Sequence, residues 1–239
     1  MMKKSLQAIL LLVSVFLGIW LGYRQVLPPK APEDMDETPI VISEADQGPD
    51  FQLMLTHIRE MAGEAHSVGS PGLERTQGYL KDQLESMGYS YTEDHYRLSI
   101  EEVQLLLQLR AHYHGDTDLS TPEIIRGRAG LGEQDLMELN NILVHVDAPD
   151  TDETIIFMAH TDSVTQGPGA FDDIVSVAAL LEGLRAVQGK EIARDLLFLF
   201  TDGEEQGLLG AAKFIVDHPE YRQRTRLVVN LEARGNAGV

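Results

Sequence analysis

Cysteine is absent from the 239 residues, which removes disulfides, thiolate metal sites, iron–sulfur clusters and a cysteine nucleophile from consideration. Any metal must therefore sit on histidine, aspartate and glutamate. Basic residues are scarce too: 19 lysines and arginines stand against 38 acids, for a formal net charge of −19. A chain this acidic lacks the basic face that phosphate neutralisation needs, so no nucleic-acid partner is expected. Internal repeats and low-complexity tracts are missing as well. What remains, 43% apolar and 24% charged residues, is the composition of a folded domain and not of a disordered chain.

The charges that are present are unevenly spread. The first thirty residues hold Lys3, Lys4, Arg24 and Lys30 and no acid, and residues 5–23 carry no charge at all. At about 1.5 Å per residue, a helix over 5–23 nearly spans a hydrocarbon core of roughly 30 Å. Residues 1–4 thus read as a cytoplasmic basic start and 5–23 as a transmembrane signal anchor, with the rest of the chain extracytoplasmic at the cell membrane. A cleaved signal peptide shares this pattern and leaves a secreted or periplasmic product, but no small-x-small cleavage site follows Tyr23. Residues 24–50 form an acidic linker with Pro28, Pro29, Pro32 and Pro39. Seven acids and no base fall within 31–50, a composition that keeps a spacer extended and self-repelling.

From Phe51 onward the pattern is that of an α/β domain. Ser70-Pro71 reads as a helix start, cap followed by first-turn proline, and Leu73, Leu80, Leu84 and Met87 share one face before Gly88. Val103–Leu109 fits a strand or a helix, and the Gly-rich stretch from Gly115 to Gly132 a loop. Four short apolar runs follow, Ile142–Val146, Thr154–Ala159, Leu196–Phe200 and Leu227–Leu231. Apolar on both faces and separated by helical segments, they predict central strands of a mostly parallel sheet with helices on both faces. One intervening helix buries Ile174, Val177, Ala178, Leu181 and Leu184, and another runs from Leu208 to about Val216.

The polar residues gather just past the carboxyl ends of those strands, the usual ligand side of an open α/β sheet. The second run closes in His160-Thr161-Asp162, where alternation puts His160 and Asp162 on one side so that the carboxylate can orient the imidazole. Asp172 and Asp173 lead into the apolar helix, Glu204 and Glu205 follow the third strand, and Glu232 follows the fourth. Each has a plain structural explanation: helix capping for Asp172 or Asp173, a helix dipole for Glu204 and Glu205, solvation for Glu232. Together those explanations fail on electrostatics, because two carboxylates about 4 Å apart repel by up to about 4 kcal/mol at an effective dielectric near 20. Several such pairs call for protons or cations. With no base in these motifs beyond Arg234, a divalent ion is the simpler supply, and histidine with carboxylates suits zinc.

HTDSV, GPGAFDD, GEE and NLE, in this order and spacing, resemble metallopeptidase family 28, the two-zinc exopeptidases. AHSVGSPGLERTQGYLKDQLESMGY is similar to that family's opening helix. DDIVSVAALLEGLR and NLEARG are most similar to its membrane-bound branch, which includes the endoplasmic-reticulum metallopeptidase and the vacuolar membrane protease. The resemblance covers residues 51–239, implying the N-terminal portion of a catalytic domain. It implies two zinc ions, the first held by His160 and Glu232, the second by Glu205, with Asp172 bridging. Glu232 stands where many relatives carry aspartate. Glu204 becomes the general base and Asp162 the partner of His160, for hydrolysis at peptide or protein N-termini by an aminopeptidase. The family's final histidine ligand lies further downstream, and His218 falls too early to replace it, reading instead as a surface residue near a helix end. The second zinc site is thus expected to be incomplete, the chain a fragment or truncated product, and its turnover weak or nil. A non-catalytic peptide- or partner-binding member of the fold, and a glutaminyl-cyclase-like or acyl-amino hydrolase, are the alternatives. The oligomeric state has no signature in the sequence.

Overall fold

The computed structural model describes residues 49–114 and 136–233. The expected membrane helix at 5–23, nearly all of the 24–50 linker, the Gly115–Gly132 loop and Arg234 lie outside the described residues. Among the described residues no helix is long and apolar enough to cross a membrane.

In chain order the elements are α1 (Phe51–Met61), α2 (Pro71–Ser86), β1 (Thr92–Leu98), α3 (Ile100–His114), β2 (Met137–Val146) and β3 (Thr154–His160). A π-helical turn (Ala170–Ile174) then leads into α4 (Val175–Val187), followed by β4 (Asp195–Thr201), α5 (Leu209–Asp217), the short α6 (Tyr221–Arg224) and β5 (Thr225–Asn230). α2 starts as its sequence predicts: the Ser70 hydroxyl accepts the Leu73 N–H at 3.1 Å, with proline at the first helical positions. Leu73, Leu80 and Leu84 are buried on one face, and Gly88 takes the left-handed conformation just past the helix end.

The five strands form one sheet in the order β1-β2-β4-β3-β5. β3 pairs in parallel with β4 and with β5, whereas β2 is antiparallel to both β1 and β4. The expectation of a mostly parallel sheet is therefore corrected to a mixed one, in which β2 alone runs against its neighbours. Its reversal places the start of β2, Met137–Asn141, beside the carboxyl end of β4, because Ile142 is already opposite Phe200.

Alternation along the central strands divides the core between two faces. Ile142, Val144, Phe198 and Phe200 pack with Met61, Leu80, Leu84 and the buried side of α4. Leu143, Leu197 and Leu199 point the other way, toward Phe214 of α5. Tyr96, Leu98, Met137 and Leu139 continue that second layer under Ile100, Val103, Leu106 and Leu107 of α3, so Val103–Leu109 is helical. Helices thus cover both faces, with Ile174, Val177, Ala178, Leu181 and Leu184 of the segment around α4 fully buried as their spacing predicts. One strand departs from expectation. Among the described residues β5 pairs with β3 alone, and Leu227 and Val228 are 52% and 50% exposed, where a central strand is expected.

Candidate metal centre

Parallel pairing of β3 with β4 and β5 brings three strand ends to one edge of the sheet, and each delivers a polar loop there. His160 is the last residue of β3, Glu204 and Glu205 follow β4, and Glu232 follows β5. The fourth contribution arrives through a tight turn at Gly169, which is left-handed at φ 57°. A Cβ on Gly169 would lie 2.7 Å from the Asp172 carbonyl oxygen and 2.8 Å from the Ser163 Cβ, so only glycine fits where the chain doubles back to present Asp172.

His160 sits at the middle of this convergence, 2% exposed. Its Nε2 lies 3.1 Å from Asp172 Oδ1, 3.6 Å from Glu232 Oε1 and 3.9 Å from Glu204 Oε2. Single ligand atoms of His160, Asp172 and Glu232 all fall within 4.8 Å of one another, the spacing of a group able to hold one ion. Asp172 and Glu232 remain open to solvent, which gives such an ion a way in. Glu205 is not one of that trio. Its pKa is raised by burial and then by the charges of Asp172 and Asp162.

Asp162 is fully buried and does more than flank His160. The imidazole Nδ1 is 2.9 Å from the Asp162 backbone carbonyl and 3.5 Å from its carboxylate Oδ1. The carboxylate oxygens accept the backbone N–H groups of Glu204 at 3.0 Å and Glu205 at 3.2 Å. With Nδ1 donating to the carbonyl, Nε2 is the nitrogen left to face the carboxylates, the tautomer a metal ligand needs.

Electrostatics follow from this crowding. Burial alone would lower the His160 pKa, but the hydrogen bond and charge of Asp162, with the charges of Glu204 and Asp173, raise it to about 10. The imidazolium thereby answers the carboxylates around it. Burial raises Glu204 to about 7 and Asp173 to about 6. Behind the site, burial and the Asp162 charge hold Asp202 well above the usual carboxylate range.

Several residues of the site escape sequence reasoning. Asp173 is not a helix cap: it is buried behind His160, whose N–H lies 3.3 Å from Asp173 Oδ2, and its adjacency to Asp172 was its only signal. His66 and Ser163 exchange bonds, the His66 N–H donating to Ser163 Oγ at 2.9 Å and the Ser163 N–H to the His66 carbonyl at 3.2 Å. That pair ties the segment before α2 to the loop after β3. Away from the metal centre, His218 stands at the end of α5 as its sequence suggests, partly exposed, with ring nitrogens 2.8 Å from Asp94 Oδ2 and 3.1 Å from Glu220 Oε1.

The donor set, one imidazole nitrogen among carboxylates, fits zinc. Residues 141–239 match the profile of Peptidase family M28. The vacuolar membrane protease of Candida albicans (strain WO-1) is 31% identical over 182 residues, covering 76% of this chain and 18% of that protein. The mouse endoplasmic reticulum metallopeptidase 1 is 37% identical over 103 residues, covering 42% of this chain and 11% of that protein. This chain thus spans less than a fifth of the length of either relative. Among solved structures, an aminopeptidase from Aneurinibacillus sp. strain AM-1 superposes with a TM-score of 0.59 at 17% identity, over 78% of this chain and 71% of that one, a likeness of fold.

Proposed function

We propose, from residues 141–239 being a peptidase family M28 segment, that this protein is a zinc-dependent peptidase of the aminopeptidase type. The observation that carries the proposal is the approach of three carboxylates to His160 Nε2, at 3.1, 3.6 and 3.9 Å. In this reading His160, Asp172 and Glu232 hold one zinc ion, and Asp172 and Glu205 are this chain's ligands for a second. Zinc at such a site supplies Lewis-acid polarisation of the scissile carbonyl and acidifies water. The remaining work falls to the chain. Glu204, whose Oε2 lies 3.9 Å from His160 Nε2, is the carboxylate placed to accept a proton from the attacking water and return it to the leaving amine. Asp162 keeps Glu204 and Glu205 in place through their backbone N–H groups. Peptide or protein N-termini are the proposed substrates.

The apolar stretch at 5–23 is the proposed membrane anchor, with Lys3 and Lys4 on the cytoplasmic side and the peptidase segment opposite. Relatives whose names place them in the vacuolar membrane and the endoplasmic reticulum support membrane association.

The deciding experiment measures zinc content and hydrolysis of aminoacyl amides and short peptides for the full chain and for Glu204→Gln. Zinc retained with hydrolysis abolished is the expected result. Undiminished hydrolysis by Glu204→Gln would remove Glu204 from the mechanism, and failure of the parent to bind zinc would remove the metal centre itself.

A further inference from the structure

Gln77 lies on α2, outside every segment that supplies the metal centre, yet its carboxamide reaches that centre's scaffold. The side chain is 6% exposed and uses both amide hydrogens: Nε2 donates to the Asn140 carbonyl at 3.0 Å and to Thr161 Oγ1 at 3.1 Å. Oε1 accepts from Asn140 Nδ2 at 3.0 Å. These three bonds fix the amide's orientation, since a flipped amide would set its oxygen against the Asn140 carbonyl.

The Thr161 hydroxyl passes the constraint onward. Its lone pair is taken by Gln77, so its hydrogen is left for the Thr201 carbonyl, 3.0 Å away. The Thr161 N–H donates to the same carbonyl at 2.8 Å. This doubled contact latches the end of β3 to the end of β4. On one side of the latch Thr161 is flanked by His160 and Asp162. On the other, Thr201 begins the turn to Glu204 and Glu205, whose backbone N–H groups Asp162 holds.

We infer that Gln77 is a positioning residue for the metal centre, setting the place of His160 relative to Glu204 and Glu205 through the Thr161 hydroxyl. The two bonds to Asn140 tether α2 to β2, where the Asn140 N–H in turn donates to Asp202 Oδ2 at 2.9 Å. The bond to Thr161 joins the helix to the one residue between the imidazole and the carboxylate that organises the Glu pair. The functional meaning of this inference rests on the proposed zinc site, but the bond itself can be tested without metal.

The test uses the full chain with Gln77→Met, Gln77→Glu, Thr161→Val and the double variant Gln77→Met/Thr161→Val. Gln77→Glu keeps the acceptor facing Asn140 Nδ2 but loses the donors to both Thr161 and the Asn140 carbonyl, so Thr161→Val, which leaves the Asn140 bonds in place, serves if the Gln77 variants fail to fold. Thr76→Ala is the control, because it removes a buried bond from the same helix, Thr76 Oγ1 to the Met61 carbonyl at 3.0 Å, without touching Thr161.

Zinc affinity, read by chelator competition, should fall about tenfold in Gln77→Met and by a similar factor in Thr161→Val, the low end for residues bonded behind metal ligands. The double variant should fall no further. In zinc-free protein, amide hydrogen exchange at Glu204 and Glu205 should quicken in the Gln77 variants and stay at the parent rate in Thr76→Ala. The inference is overturned by unchanged exchange in the Gln77 variants, by additive losses in the double variant, or by Thr76→Ala matching them in both readouts. A parent that binds no zinc sinks the proposed function alone, and the exchange rates still decide whether Gln77 positions the loop.

Discussion

Asp162 grips Glu204 by its backbone, the Glu204 N–H donating to Asp162 Oδ1 at 3.0 Å, while Oδ2 takes the N–H of the next residue, Glu205, at 3.2 Å. One buried carboxylate thus sets the start of the loop that carries both glutamates. Replacing it with Asp162→Ala strands two N–H groups in the interior and frees His160 from its charge. The expected cost is about 1–3 kcal/mol of folding stability, with zinc affinity lost in addition. Urea unfolding of the zinc-free variant beside parent, followed by zinc titration, separates the two effects. A zinc affinity equal to the parent's would show that the loop holds its shape without Asp162.

Glu204 Oε2 lies 3.9 Å from His160 Nε2, farther than the nearest oxygens of Asp172 and Glu232, and under the proposed function it moves protons while those two hold the ion. Glu204→Gln is expected to keep zinc and to lose about a hundred- to ten-thousandfold in kcat, the usual loss on removing a general base. A rise in KM with kcat unchanged would point instead to a substrate-binding role.

Zinc binding should expel a proton. Zinc-free His160 titrates up at about 10, so at pH 7 its Nε2 carries a hydrogen that the metal must displace. Calorimetry in buffers of different ionisation enthalpy should report release of about one proton per zinc at pH 7 from this residue. Because protons compete with the metal, affinity should rise as pH rises, by about tenfold per unit below the His160 pKa. Affinity flat between pH 6 and 8 would mean that His160 is not the displaced group.

A second pH effect belongs to His218. A neutral imidazole has one N–H, yet both His218 nitrogens face carboxylates, Asp94 Oδ2 at 2.8 Å and Glu220 Oε1 at 3.1 Å. Burial opposes the charged form, but the bonds to Asp94 and Glu220 outweigh it and raise the pKa above the ordinary 6.5. A pKa raised on folding contributes stability that is fully present below the unfolded value and is lost as pH climbs through the folded one. His218→Gln should therefore unfold at lower urea than the parent at pH 5.5, and the gap should narrow as pH rises past the folded pKa. Glu220 is about half exposed, so salt should damp its share of the effect. A gap that widened with pH would reverse the assignment.

His160, Glu204, Glu205 and Glu232 were legible because each ends or directly follows an apolar run, and a strand end puts its next few residues at the sheet edge whatever the tertiary detail. Asp172 follows no strand; its signal was its place just before an apolar helix, and the turn at Gly169 brings it to His160. β1 was invisible, since Thr-Glu-Asp-His-Tyr-Arg-Leu is an edge strand whose polar side chains meet solvent and leave no apolar signal. The start of β2 was hidden for another reason: Asn140 and Asn141 look like turn formers, yet Asn141 is buried with Oδ1 accepting the Asp202 N–H and Nδ2 donating to the Gly210 carbonyl. Gln77 gave no sign at all, because a polar residue on an amphipathic helix reads as solvated and its partner Thr161 is 84 residues away.

Glu232 follows β5, whose hydrogen-bonded neighbour among the described residues is β3. His160 ends that same β3. Under the proposed function, an ion shared by His160 and Glu232 is therefore a rivet at the end of the β3–β5 seam, fastening one strand to the next. Chelation would act mechanically as well as chemically, letting the seam loosen from Met158 and Asn230 backward before the rest of the fold gives way.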